Sequence, residues 1–488
     1  MARPNGGIIG PDNVPTPFTA KGVWKISDAF NYQKAGLWPQ VLGYQVNNSL
    51  RFNPDSLDYL NRTPASATNR QTFTLSTWVK RSKLGAYQQL FGTDPSNIDV
   101  IGFDNNDAFR IYIYNNPIST IRVSSQLFRD TSAWYHIVIA FDTPNATAQN
   151  RCRIYVNGTE ITSWSTNNTV SQNLNTNFNT TTIQYIGRYA TAEYIGGYMS
   201  EVYMIDGQQL TPSSFGQTDS TTGIWTPIAY TGTYGTNGYY LKFANSASLG
   251  TDSSGNGNNF TVNNLTSVDQ STDTPTNNFA TLNPLLYSTS ITYSEGNLKF
   301  TNTSAGGQRM VASSIAPTTG KWYAECRVTS LGGNYPQIGV LDTSIYTMDT
   351  YVGALARGYG YASHGQVYNN AGALTTGLAT YTTNDIIGVA LDLDNNYVYF
   401  SKNGTFINSG VPTSGSSGTG GWAITNGYDY SFGSSSLDSG TDPVFDWNFG
   451  SPFYSANNYT DAGGFGNFSY QPPSGYYALC TRTLAIYG

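Results

Sequence analysis

Only two histidines, His136 and His364, occur in the 488 residues, and no metal triad or nucleophile–base pair can be drawn around either. The first reads as a polar strand residue and the second as a loop residue. Glycoside hydrolysis needs two carboxylates facing each other across one bond. Glutamate stands only at Glu160, Glu193, Glu201, Glu295 and Glu325, and no such pair stands out, although aspartates could serve. No catalytic residue is assigned and no bond-breaking chemistry is expected. Calcium is the ion this sequence would take, since hard cations bind carboxylate and amide oxygens from loops. The candidates are Asp99, Asp104, Asn105, Asn106 and Asp107 in IDVIGFDNNDAF. The competing reading is an Asx-rich turn, because Asp and Asn bond readily to their own backbone. It applies equally to 252–259, and neither loop has Asp-x-Asp-x-Asp-Gly spacing. Carbohydrate recognition needs aromatic faces for sugar rings and polar groups for hydroxyls. Two loops offer both: Tyr189, Glu193 and Tyr194 in RYATAEY, and Tyr359, Tyr361, His364 and Tyr368 in RGYGYASHGQVY. Cross-strand packing or a protein interface would use the same tyrosines.

The elements that must position these residues are strands. In WYHIVIAFDTPNATAQNRCRIYVNG, Ile137, Ile139 and Phe141 alternate with His136, Val138 and Ala140. Cys152, Ile154 and Val156 alternate with Arg151, Arg153 and Tyr155. Period two is the mark of a half-buried strand, and Asn157-Gly158 supplies the positive φ of a tight hairpin. A second all-β unit follows between about 286 and 470. There Trp322, Ala324, Cys326 and Val328 alternate with Tyr323, Glu325 and Arg327, and Val398 and Phe400 precede the turn Lys402-Asn403-Gly404. Residues 1–45, rich in Pro and Gly, read as an extended arm with one short helix over Ala29 to Ala35. Residues 216–285 read as a strand-and-loop connector, and YQPPSGYYALCTRTLAIYG as a short apolar strand closing the last domain.

The run from Trp134 to Gly158, with TFTLSTWVK before it and YIGRYATAEYIGGYMSEVYMIDGQQLT after it, resembles the LamG and pentraxin-like members of the concanavalin A-like lectin superfamily. The resemblance spans about 45–215, implies a β-sandwich and lends a calcium site near its rim some support. None of the glutamates forms the Glu-x-Asp-x-x-Glu strand of that superfamily's glucanases. The order GKWYAEC, QIGVLD, DIIGVALDLDNNYVYFSKNG and DWNFG resembles the SPRY domain, a bent two-sheet sandwich that binds through its loops. The whole order, with GVWKISDAFNYQKAGLWP in the arm and DSSGNGNNFTVNNL in the connector, resembles tail and surface proteins of marine bacteriophages.

Composition narrows the partners. Charged residues make up 11% and aromatics 14%, with 37 tyrosines, so the polarity is mostly uncharged. A net charge of −6 argues against a polyanion such as nucleic acid, whose phosphates call for clustered Lys and Arg. Cys152, Cys326 and Cys480 are too few and too scattered for a disulfide framework and read as small core residues. With no run of about 18 apolar residues, no membrane insertion is expected.

The expectation is therefore an all-β chain: two tandem jelly-roll-like β-sandwiches, 46–215 and 286–488, joined by a connector and carried on the arm. The resemblance implies a virion protein for host attachment, whose arm meets other virion proteins. A homo-oligomer is expected, a trimer foremost, and the sandwich loops would meet a host-surface glycan or protein. The alternatives are a capsid decoration or head fibre and, third, a polysaccharide-degrading enzyme.

Overall fold

The computed structural model describes Tyr32 and residues 43–488, apart from 95, 97, 116–117, 287–289, 304–305, 333–334, 343, 345–347 and 438–440. The arm and its short helix over Ala29 to Ala35 lie outside the described residues, except Tyr32 and 43–45. The chain divides into two compact units, Met1–Gln45 and Val46–Gly488, and both sandwiches belong to the second.

The hairpin at the heart of the sequence forms as its alternation requires. Trp134–Asp142 pairs with Cys152–Val156, and Asn157 and Gly158 turn the chain at φ 47° and 82° into Thr159–Glu160. Asn157 locks the turn, its side-chain oxygen accepting the His136 N–H at 2.8 Å while its own N–H meets the His136 carbonyl at 2.9 Å. Ile137, Ile139, Phe141, Cys152, Ile154 and Val156 enter the first core.

Two eight-stranded sheets enclose that core. The first runs Thr159–Glu160, Cys152–Val156, Trp134–Asp142, Thr72–Arg81, Gly197–Asp206, Ser49–Phe52 and Gln270–Ser271, with Tyr239–Leu241 also against Gly197–Asp206. The second runs Trp164–Asn167, Ile118–Leu127, Ala108–Asn115, Asp99–Phe103, Gln88–Thr93, Gln184–Ile186, Tyr59–Arg62 and Thr261–Asn263. Three of these strands come from the stretch expected to be a connector. Its Leu241, Phe243, Leu249, Phe260 and Leu265 fill the first core, so most of that stretch completes the first sandwich.

The second sandwich has a nine-stranded sheet, in which Lys321–Ser330 lies between Ile386–Asp392 and Val444–Asn448, and a six-stranded one ordered Gln308–Ala312, Ser431–Leu437, Gln337–Leu341, Gly358–Ala362, Gln366–Asn369 and Gly372–Thr375. Trp322, Cys326, Val389, Phe400, Phe432 and Trp447 build its core. The Trp447 indole N–H crosses between the sheets to Ser434 Oγ at 3.1 Å.

The chain's end differs from expectation. Only Tyr477–Ala478 is a strand, parallel to Lys321–Ser330, and Thr481–Tyr487 is an α-helix. Leu484 and Tyr487, three apart, share the helix face that packs on the second core, and Tyr487 stacks on Tyr477 at 3.6 Å. A short apolar run fits either period, and here the helical one prevails. Among the described residues no helix is long and apolar enough to cross a membrane.

Candidate functional site

Directly paired residues of an antiparallel sheet point to the same side. In the second sheet Asn61, Tyr185, Gly92, Val100 and Tyr112 are successive partners. Their neighbours Leu60, Ile186, Phe91, Ile101 and Ile111 lie in the core, so this row faces outward. The loop carrying Tyr189, Glu193 and Tyr194 folds back over that face. Ala190 and Glu193 take φ 46° and 58°, and Tyr189 and Ala192 exchange backbone hydrogen bonds of 3.1 and 2.8 Å. Gly92 makes the approach possible: a Cβ there would stand 2.6 Å from the Arg188 carbonyl and 3.2 Å from Tyr189 Cα.

The loop is pinned by polar contacts. Gln89 Nε2 donates to Glu193 Oε2 at 2.7 Å, and Arg188 donates to the Tyr194 hydroxyl at 2.8 Å. The Arg188 guanidinium also lies 3.4 Å from the ring centre of Tyr59 and 4.5 Å from that of Tyr185, at cation–π distance. Burial, with Glu193 and Tyr112 nearby, raises the Tyr189 hydroxyl above its ordinary pKa. Tyr189, Glu193 and Tyr194 thus share one surface. With them are Tyr59, Gln89 and Arg188, and the face continues through Tyr112 and Arg110 to Tyr87, the last 41% exposed. The sequence carries a signal for part of this, since Arg110, Tyr112 and Tyr114 alternate with core Phe109, Ile111 and Ile113.

The second tyrosine loop divides. Tyr359 and Tyr361, expected at the surface, belong to the second core. They lie on Gly358–Ala362, where Gly358, Gly360 and Ala362 take the alternate positions. Tyr361 packs on Tyr381 and Phe400, and its hydroxyl donates to the Ala379 carbonyl. Neither ring can stack on a ligand. His364 and Tyr368 stay near the surface with Gln366, Tyr351 and Tyr335. The Tyr368 hydroxyl donates to Gln366 Oε1 at 2.5 Å and accepts from His364 Nε2 at 3.0 Å. Tyr335, 57% exposed, meets the His364 ring edge-to-face at 4.3 Å.

The calcium candidates do not form one centre. Asp99 opens a strand and Asp104 follows its end, so the two are about 16 Å apart at the usual rise per residue. Asp99 is buried and accepts from the Asn177 backbone N–H at 2.5 Å, the Asn177 side chain at 3.2 Å and the Tyr114 N–H at 3.2 Å. Burial outweighs these bonds and pushes it up to about 7. Asp104 accepts from the N–H groups of Asn106 and Ala108, both at 2.9 Å, closing an Asx turn. Asp107 is taken by Arg81 at 3.0 Å, the Gly85 N–H at 2.8 Å and Arg129 at 3.2 Å, while Asn105 and Asn106 are exposed. In the 252–259 loop, Asp252 accepts from the N–H groups of Tyr240, Ser254 and Asn258. Among the described residues no three His, Cys, Asp or Glu side chains converge as metal ligands.

His136 is fully occupied. The Trp225 indole donates to Nδ1 at 2.9 Å, so Nε2 carries the proton and meets Ser76 Oγ at 2.9 Å. Trp78 stacks on the ring at 4.8 Å. Burial lowers its pKa to about 3, which keeps it neutral.

Comparison with known proteins assigns the two sandwiches. Residues 55–214 match the concanavalin A-like lectin/glucanases superfamily and residues 321–420 match the SPRY domain. The chain therefore carries a laminin G/concanavalin A-like domain and an SPRY domain. A Ran-binding proteins 9/10 homolog of Drosophila melanogaster is 33% identical over 123 residues, 24% of this chain, and this chain spans only 13% of its length. Among solved structures, the SPRY domain of human HERC1 is 16% identical and aligns over 34% of this chain and 96% of its own, with a TM-score of 0.28. A putative carbohydrate binding protein from Bacteroides ovatus is 18% identical, covering 46% of this chain and 60% of that one, with a TM-score of 0.31.

Proposed function

We propose that the chain is a non-enzymatic attachment protein, which holds a glycan or protein of a cell surface against the outer faces of its two sandwiches. The observation that carries this reading is the tyrosine-rich outer face under the 187–196 loop. Half-exposed rings stand there beside pinned hydrogen-bonding side chains, the combination a sugar or a protein loop requires. The patch of Tyr335, His364, Gln366 and Tyr368 gives the second sandwich a smaller surface of the same kind. Both domain types are ones through which other proteins bind ligands or protein partners.

The setting is a bacteriophage virion, a reading that rests on the sequence resemblance of arm, first module, connector and second module taken in order. There the arm docks on other virion proteins, and several copies, three foremost, present their sandwiches together, so that weak single contacts add up to firm attachment. The test is competition. Purified full-length protein in excess should block adsorption of the virus particles to their host cells. A folded sample that binds the cells but leaves adsorption unchanged would remove the virion role, and one that binds no cell would turn the reading toward a capsid decoration or head fibre.

A further inference from the structure

Arg110 stands apart from the other described arginines. Its guanidinium makes no hydrogen bond and no ion pair with any described residue, and its only contacts of note are two rings, Tyr87 at 5.2 Å and Tyr112 at 5.1 Å. Arg81, Arg129, Arg153, Arg327 and Arg357 each hold a carboxylate, and Arg188 holds the Tyr194 hydroxyl. In a chain with 30 acidic and 24 basic residues, a partly exposed guanidinium paired with none of the described carboxylates has its fork free for an external anion.

The sheet explains its readiness. Gln89, Gly102 and Arg110 are successive partners across the face, one row from Gly92, Val100 and Tyr112. At Gly102 a Cβ would stand 2.8 Å from Gln89 Oε1, so the bare position gives the Gln89 side chain its place. Gln89 in turn holds Glu193. Cation, rings and carboxylate therefore share one face, Arg110 in the row of Gln89, Tyr112 in the next row, and Glu193 held by Gln89. The two flanking tyrosines hold the guanidinium in place before any ligand arrives, which lowers the ordering cost of binding.

We propose that this strip binds an acidic sugar. The ligand's anionic group takes the Arg110 fork, its ring lies on Tyr112 and Tyr87, and its hydroxyls donate to Glu193. This names the ligand class for the attachment reading above and rests on it. Charge complementarity selects the class: the guanidinium demands an anion, whereas Glu193 accepts only donors such as hydroxyls. A carboxylate and a sulfate ester offer the same paired oxygens.

The test uses the full chain and calorimetric titration with three probes: galacturonic acid oligosaccharides, sulfated galactose oligosaccharides and neutral galactose oligosaccharides. One acidic series should bind at least about tenfold more tightly than the neutral one and weaken as salt rises, and which series wins decides between carboxylate and sulfate. Arg110→Ala should lose about tenfold or more, and Arg110→Lys should fall between, because an ammonium keeps the charge without the fork. Glu193→Gln should cost several-fold for acidic and neutral sugars alike. Arg110 makes no hydrogen bond or ion pair with a described residue, so the two Arg110 variants should melt close to the parent, whereas Glu193→Gln also alters the contact with Gln89 and is compared at matched folded fraction. Equal binding of acidic and neutral sugars, or unchanged binding by Arg110→Ala, overturns the assignment. If Arg110→Ala still blocks adsorption in full, the attachment reading stands and this site is not its basis. If the parent fails to block while its acidic-sugar binding depends on Arg110, the site stands and the attachment reading falls.

Discussion

His136 is a base that the fold keeps from its proton. Held between Trp225 and Ser76, with its pKa lowered to about 3 by burial, it binds no proton in the folded state at a pH where the unfolded chain does, below its ordinary 6.5. The folded state therefore keeps the full benefit of this residue above pH 6.5 and loses it progressively down to about 3, by about 1.4 kcal/mol per pH unit. Asp99 works in the opposite sense. Raised to about 7, it favours folding fully below its ordinary 3.8, and that contribution is lost as pH rises through 7. The two effects overlap, so the histidine is best isolated by difference. His136→Gln should be less stable than the parent at pH 7.5 by about 2 kcal/mol, since it strands the Trp225 and Ser76 partners. The gap between their urea midpoints should narrow below pH 6.5, close near about pH 5 and reverse by pH 4. A gap that stays constant over that interval would mean that His136 titrates no differently folded and unfolded.

At the scale of elements, alternation was readable and tertiary cover was not. Period two placed Ile137, Ile139 and Phe141 inside and located the Asn157-Gly158 turn, because each follows from a few neighbouring residues. Sequence alone does not place Tyr359 and Tyr361, because a tyrosine fits a core or a surface and only the packing of Tyr381 and Phe400 on Tyr361 decides. The calcium candidates are drawn apart because Asp107 pairs with Arg81 and Arg129, residues distant in sequence, and Asp99 with Asn177. Tyr189, Glu193 and Tyr194 were found as a loop, but the sheet face beneath them was not, since the register linking Asn61, Tyr185, Gly92, Val100 and Tyr112 crosses strands far apart in the chain. That register makes Gly92 decisive for the loop. Gly92→Ala puts a methyl 2.6 Å from a backbone oxygen, which cannot swing aside as a side chain can. It should cost about 1–3 kcal/mol and loosen the loop, read as faster hydrogen exchange at 188–194. Glu325 plays a comparable part in the second sandwich. Buried in its strand, it accepts the N–H groups of Ser469 and Tyr470, both at 2.8 Å, and so binds the 467–470 segment to the sheet. Glu325→Ala leaves the buried Ser469 N–H and the part-buried Tyr470 N–H without their acceptor and should cost about 2–4 kcal/mol, with early proteolytic cleavage between 455 and 470.

At the scale of the molecule, two cores are fastened through a buried polar seam, which bears on how a binding surface on one sandwich can be held fixed relative to the other. Asp273 is its centre. It receives Lys80 at 2.7 Å and the Trp134 indole at 3.0 Å from the first sandwich, just before the chain enters the second through Phe279, whose carbonyl Lys80 also reaches at 3.0 Å. Ser271 meets Ser451 at 2.9 Å, Asn53 donates to Glu295 at 2.7 Å, and the Tyr198 hydroxyl donates to the Gly296 carbonyl at 3.1 Å. Such a seam couples the sandwiches without adding much net stability. Burial raises the Asp273 pKa despite Lys80 and Trp134, so its desolvation exceeds what its partners return. Removing one partner is another matter, because it leaves the other as an uncompensated buried charge. Asp273→Ala or Lys80→Ala should each cost about 3–5 kcal/mol, whereas the paired change Lys80→Met with Asp273→Leu should cost far less than their sum. Calorimetry of the parent should show one unfolding transition for 46–488, since neither sandwich can leave without breaking the seam. In Asp273→Ala it should split into two, the first sandwich melting earlier, because it is Lys80 and Trp134 that lose their partner. Two transitions already in the parent would mean that the sandwiches bind their ligands as independent modules.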